Sequence, residues 1–220
     1  MSSISEKRIS ILISGRGSNM EAFLKAERRG TLSGQVVRVI SNRPDAAGLA
    51  TASGADVATT IVDHTLYESR EAFDAALVEA VNQDNPDVVV LAGFMRILTP
   101  VFIDAFVGKL VNVHPSLLPN YPGLNTHQRA IDNGDTEAGA TVHYVTNELD
   151  GGPPILQVSV PIESGDDANS LAARILGFEH VIFPEAVNWH LQGRLVHEAD
   201  GAYLDGKKLP PTGTLWEWQA

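Results

Sequence analysis

Asn112 and His114 stand two residues apart in a short apolar run, Leu110-Val111-Asn112-Val113-His114. In a strand that spacing puts both side chains on one face, where they can act on the same substrate. Burying polar groups among Leu110, Val111 and Val113 costs stability unless each finds a partner, which makes a purely structural role expensive. Satisfied core residues remain the bland alternative. Asp150 opens the turn-rich stretch Asp150-Gly151-Gly152-Pro153-Pro154, where an aspartate by itself says only that the chain turns. Set against His114, its carboxylate would favour the protonated imidazole and hold a proton donor near neutral pH. Asn112 would add a neutral N–H donor. Acyl transfer to an amine passes through a tetrahedral oxyanion, and two fixed donors meet that need at roughly 3–4 kcal/mol each. No covalent nucleophile is required.

A second chemical element is the loop Ser14-Gly15-Arg16-Gly17-Ser18-Asn19 between the first apolar run and the first helical stretch. Free backbone N–H groups and the helix dipole at such a junction favour an anion, typically a phosphate. Gly15 and Gly17 would permit close backbone approach. A dinucleotide fingerprint would need a third glycine where Met20 stands and an acidic residue near Ser41 and Asn42. A Walker loop would need Gly-Lys-Ser/Thr, which is absent. One monophosphate fits the loop better than either, although any βα turn also favours glycine and a capping serine.

Other candidates carry less. Ser116 has no Gly-x-Ser-x-Gly elbow around it, so a serine triad is not expected. The seven histidines show no metal-ligand spacing and no carboxylate cluster joins them, so no metal is expected. His143, between Val142 and Tyr144, reads as a satisfied, partly buried residue with a supporting role still open. The absence of cysteine excludes disulfides, thiolate nucleophiles and zinc-thiolate sites.

The remaining composition sets the frame. With 220 residues, 44% apolar and 20% charged, the chain suits one buried α/β domain. A net charge of −11 argues against a nucleic-acid partner, so an anionic ligand must be gripped locally. The longest apolar runs, such as 87–93, fall well short of the roughly 20 residues of a membrane span. Residues 1–8 lack the apolar stretch of an export signal, and a cytoplasmic protein is expected.

Elements that would position the chemistry follow from periodicity. Strands are expected over 8–14, 35–40, 57–62, 87–92, 110–113, 138–146 and 154–160. Helices are expected over 18–29, capped by Ser18 or Asn19, and over 46–53, 69–82 and 168–191. A hairpin over 195–209 closes the chain, and 121–136, with Gly123, Asn125 and Gly134, reads as a loop. Such βα alternation predicts an α/β fold: a doubly wound, mostly parallel sheet with helices on both faces. Ligands then gather at the carboxyl ends of the strands, where His114 and the glycine loop fall.

Ser14–Asn19, Phe94-Met95-Arg96-Ile97-Leu98, Asn112-Val113-His114-Pro115-Ser116-Leu117-Leu118-Pro119 and Leu149-Asp150-Gly151-Gly152-Pro153, in this order and spacing, resemble the phosphoribosylglycinamide formyltransferase family nearly end to end. The resemblance implies formyl transfer from 10-formyltetrahydrofolate, as co-substrate, to the amine of glycinamide ribonucleotide in purine synthesis. His114 would be the general acid and oxyanion donor, Asn112 its partner, and Asp150 the group that charges the histidine and relays the amine's proton through water. Gly17, Ser18 and Asn19 would hold the ribonucleotide phosphate, and Glu179 the ribose. Met95 to Leu98 and Thr146, Asn147, Glu148, Leu149 and Asp150 would line the folate pocket, with Arg70 and Arg96 meeting the anionic glutamate tail. Leu176 to Phe178 are less polar than the family leads one to expect. One domain over 1–220 is implied, its half at about 1–105 binding phosphate and its half at about 106–220 carrying folate binding and catalysis, as a monomer or weak homodimer. Formyl-folate hydrolysis or formylation of an initiator tRNA would use the same three residues. The additional regulatory or basic C-terminal domain of those enzymes is not expected in this acidic chain. A non-catalytic nucleotide-binding module would have no use for the three residues together, and a plain esterase fits less well still.

Overall fold

The computed structural model describes residues 6–217. Part of the 1–8 segment, read as lacking an export signal, lies outside them. Strands β1 (Arg8–Ile13), β2 (Gln35–Ser41), β3 (Ala58–Ile61), β4 (Val88–Leu91), β5 (Leu110–His114), β6 (Glu137–Tyr144) and β7 (Pro154–Pro161) form one sheet with β11 (Thr214–Leu215). Its order is β11-β7-β6-β5-β4-β1-β2-β3. The β5-β4-β1-β2-β3 portion is parallel, as the βα alternation predicts. Strand β6 departs from that expectation: it runs antiparallel to β5 and turns straight into antiparallel β7.

Alternate residues of each strand feed two cores, because successive side chains point to opposite faces. Ile9, Ile11 and Ile13 of β1 pack with Val111 and Val113 of β5 against α1 (Ser18–Arg28) and α6 (Ala168–Leu191). Leu12, Leu91 and Leu110 face the other way, onto α3 (Arg70–Asn82) and α4 (Pro100–Ala105). Asn112 and His114 share the face of Leu110. They sit at its carboxyl end, where the second core runs out.

Several local expectations need correction. The N-cap of α1 is Gly17 at φ 75°, without any side-chain cap, instead of Ser18 or Asn19. Gly17 is required there because the left-handed conformation strains any residue with a Cβ. Gly15, by contrast, has open space around a notional Cβ. The 121–136 stretch contains a helix, α5 (Thr126–Asn133), entered through left-handed Asn125. Helix α4 and edge strand β11 also escape periodicity, being six and two residues long. The terminal hairpin has a third strand: β8 (Leu195–Glu198), β9 (Gly201–Leu204) and β10 (Lys207–Lys208). Helix α2 (Ala47–Ser53) completes the set. No described helix is long and apolar enough to cross a membrane.

Candidate active site

Strand β5 delivers Asn112 and His114 to one face, and the β6–β7 turn brings Asp150 over them. His114 Nδ1 lies 3.5 Å from Asp150 Oδ2, with both side chains about nine-tenths buried. The turn depends on its glycines: a Cβ on Gly152 would stand 1.8 Å from the Tyr144 carbonyl oxygen. Asp150 itself is left-handed, at φ 52°.

Proton bookkeeping fixes the roles of the ring nitrogens. His114 Nε2 lies 2.9 Å from the Tyr121 carbonyl, which can only accept, so Nε2 carries a hydrogen. The exchangeable position is therefore Nδ1, the atom facing Asp150. Two residues along the same loop, the Gly123 N–H donates to Asp150 Oδ2 at 2.8 Å. Backbone groups of the 121–123 segment thus hold both the histidine and the carboxylate. Tyr121 is anchored in turn by its hydroxyl, which donates to Asp135 at 2.6 Å. Nothing in the 121–123 sequence advertises this, because the groups that act are main-chain.

His143 has more than a packing role. It pairs with Asn112 across β5 and β6, and Asn112 Nδ2 lies 3.2 Å from its Nε2. Its Nδ1 donates to the Tyr144 carbonyl at 2.9 Å. Burial pushes the ring down to about 4, against the opposing pull of the Tyr144 hydrogen bond and of Asp150. A neutral ring with hydrogen on Nδ1 can only accept at Nε2. The 3.9 Å approach of His143 Nε2 to Asp150 Oδ1 is accordingly no ion pair.

The glycine loop lies two strands away along the same edge. Asn19 is buried and its Nδ2 donates to Glu179 Oε2 at 2.7 Å, joining α1 to α6. Burial raises the Glu179 carboxyl above the usual range, and the Asn19 hydrogen bond opposes this. Asn19 Oδ1 has no partner. Ser18 and Gly17 line a cavity of about 430 Å3 over the loop, together with Asn42, His64 and Arg96.

The expected folate residues divide. Met95 and Ile97 are exposed, at 73% and 63%, on the rim between the loop and β5, whereas Leu98 is buried in the second core. Arg70 Nη2 donates to the Ile97 carbonyl at 2.5 Å and so ties this segment to α3. Arg96 stacks 5.8 Å over the Phe73 ring. Thr146 is half-buried, Asn147, Glu148 and Leu149 are exposed on the turn before Asp150, and Asn147 donates to Asp104. Ser116 donates to the Asn120 carbonyl, consistent with a loop role. Among the described residues, no group of three or more His, Asp or Glu is arranged to hold a metal ion.

Residues 7–187 match the formyl transferase family model. The chain is 49% identical to the phosphoribosylglycinamide formyltransferase of Escherichia coli over 93% of its own length and 97% of that protein's. A similar relative from Haemophilus influenzae is 42% identical over 94% of this chain and 98% of its own. The solved structure of the phosphoribosylglycinamide formyltransferase of Coxiella burnetii superposes with a TM-score of 0.93 at 42% identity, covering 97% of this chain and all of that one. Shared sequence over almost the whole chain, with the same fold around the same strand ends, means that this chain belongs to the phosphoribosylglycinamide formyltransferase family.

Proposed function

We propose that the protein transfers the formyl group of 10-formyltetrahydrofolate to the amine of glycinamide ribonucleotide, by direct attack through a tetrahedral intermediate. The observation that carries this reading is the 3.5 Å approach of Asp150 to His114 Nδ1, beside an Asn112 amide held by His143. The amine nitrogen bonds to the formyl carbon, and the carbonyl oxygen takes up the electron pair. The N–H of Asn112 that is not spent on His143 and the Nδ1–H of His114 stabilise that oxyanion. As the bond from carbon to the folate nitrogen breaks, His114 gives its proton to the leaving nitrogen. The proton lost by the amine passes through water to Asp150. A carboxylate this close stabilises the positive ring that the step requires.

In this reading Gly17, Ser18 and Asn19 bind the ribonucleotide phosphate, and Glu179 the ribose. Met95, Arg96, Ile97, Leu98, Thr146, Asn147, Glu148 and Leu149 bound the folate site, with Arg70 and Arg96 at its anionic tail. The two halves of the chain then interleave, since Glu179 completes the phosphate side and Arg70 and Arg96 the folate side. We take the protein as a cytoplasmic monomer or weak homodimer that acts on small molecules without a metal.

The test mixes the protein with 10-formyltetrahydrofolate, with and without glycinamide ribonucleotide, and follows loss of the formyl-folate. Loss that needs the amine, with formylated product, is expected. Loss at the same rate without it would replace this reading with hydrolysis.

A further inference from the structure

Residues 121–125 run through backbone that most side chains avoid. Tyr121 stands at φ 56° and Asn125 at φ 58°, either side of Gly123 at φ 79°. A bulky residue with positive φ is an outlier, and it persists only where its surroundings hold it. Arg129 supplies that hold. It lies in the first turn of α5, and its Nη1 donates to the Pro122 carbonyl at 2.7 Å and to the Leu124 carbonyl at 3.3 Å. Its guanidinium carbon sits 5.1 Å over the centre of the Tyr121 ring, whose hydroxyl is tied to Asp135.

Helix stability does not account for a cation in this place. The N-terminal end of a helix carries the positive end of its dipole, so an arginine there is unfavourable for α5 itself. Its hydrogen bonds go to main-chain carbonyls and not to a carboxylate. The side chain is spent on the loop ahead of the helix.

The Pro122 carbonyl and the Gly123 N–H belong to one peptide unit. That unit is planar and trans, with the two groups pointing in opposite directions. Arg129 holds the oxygen end at 2.7 Å, and Asp150 Oδ2 accepts from the N–H end at 2.8 Å. A guanidinium and a carboxylate thus lie at opposite ends of one rigid amide, and hydrogen bonds in such a chain polarise one another. Turning the plane would carry the N–H off Asp150, which stands 3.5 Å from His114 Nδ1. We propose that Arg129 is a positioning residue for the reaction centre: by gripping the Pro122 carbonyl it sets the peptide plane whose N–H holds Asp150 against His114. It acts through Asp150 and is no part of the acid–base pair itself. The inference rests on the formyl-transfer reading, in which Asp150 and His114 work as a pair, and adds to it the residue that aligns them.

The test measures transfer by the native protein, Arg129→Ala, Asp150→Asn and the double variant, in steady state and in single turnover. Arg129→Ala should lower kcat about ten- to a hundredfold, the scale of a misplacement of roughly 1 Å, and leave KM for both substrates within about twofold. In the Asp150→Asn background the same substitution should cost less than about twofold, because no carboxylate is left to aim. A kcat equal to the native value, a loss confined to KM, or the full loss repeated in Asp150→Asn would overturn the assignment. Should Arg129→Ala fold poorly, Arg129→Lys keeps the charge while giving up the planar group over Tyr121, and the same comparison with Asp150→Asn decides. If the native protein itself forms no formylated amine, the proposed function fails instead, so the two failures are distinguishable.

Discussion

Asn112 Nδ2 and His143 Nε2 face each other at 3.2 Å across paired strands, and the hydrogen bond between them can run in only one direction. His143 spends its one hydrogen on the Tyr144 carbonyl, so it must accept from the asparagine. This leaves one Asn112 N–H, on an amide aimed by a neutral ring, for the oxyanion of the proposed transfer. It also sets the direction of the first prediction.

Asn112→Ala should lower kcat by about 10²–10³, the usual effect of removing one oxyanion donor. His143→Ala should lower it through the same group by misaligning the amide. The double variant should then be little worse than Asn112→Ala alone, because residues that act as a unit are not additive. Single-turnover rates on all three variants decide the matter, and fully multiplicative losses would contradict it.

His114→Ala should reduce transfer by about 10²–10⁴, the range for a general acid. Asp150→Asn should fall sharply as well, since a neutral amide cannot stabilise the charged ring or take the amine's proton. Both should retain the circular dichroism and thermal melt of the native protein. Undiminished turnover in either would remove that residue from the mechanism.

The His143 ring also predicts a pH dependence of stability. Its folded value is about 4, against an ordinary 6.5. As pH falls from 6.5 towards 4, the unfolded chain takes up a proton that the folded chain refuses. The contribution is present in full above 6.5 and is lost on acidification through that window, at about 3 kcal/mol. Urea midpoints at pH 7.5, 5.5 and 4.5 should fall more steeply for the native protein than for His143→Gln. Parallel curves would show that the ring does not carry the effect.

Glu179 works in the opposite sense. Burial raises its folded value above the usual 4.5, so the folded chain holds a proton longer than the unfolded one. Its presence costs stability increasingly as pH rises from about 4.5 through the raised value, then constantly above it. Glu179→Gln should therefore gain melting temperature relative to the native protein between pH 4 and 7, while its KM for the ribonucleotide rises. An advantage independent of pH would mean that the carboxyl is not the source.

Gly152→Ala should destabilise the protein by about 2 kcal/mol or more, because its Cβ would collide with the Tyr144 backbone. It should reduce transfer further by displacing Asp150. Denaturant unfolding and activity on the soluble fraction measure the two effects separately, and a native-like variant would show that the turn relaxes cheaply.

Much of this was readable from the chain. The isoleucine run of β1, the apolar β4 and the long α6 declare themselves by period, because burial on a sheet face or helix stripe leaves its mark on every second or third residue. Asn112 and His114 were legible for the same reason, as polar residues interrupting such a pattern at a strand end. Short or turn-bound elements leave no such record: α4 is too brief for a period, and α5 begins at a left-handed Asn125. The sequence alone determined which residue types stand at the strand ends and in the turn where the proposed chemistry would take place. Only the tertiary structure decided that Asp150 reaches His114, that Tyr121 and Gly123 hold the pair through their backbones, and that Asn112 leans on His143. Those relations join positions between 7 and 36 residues apart, which only the fold brings together, and the two through Tyr121 and Gly123 also use main-chain carbonyl and amide groups that nearly every residue carries, so no residue type can announce them.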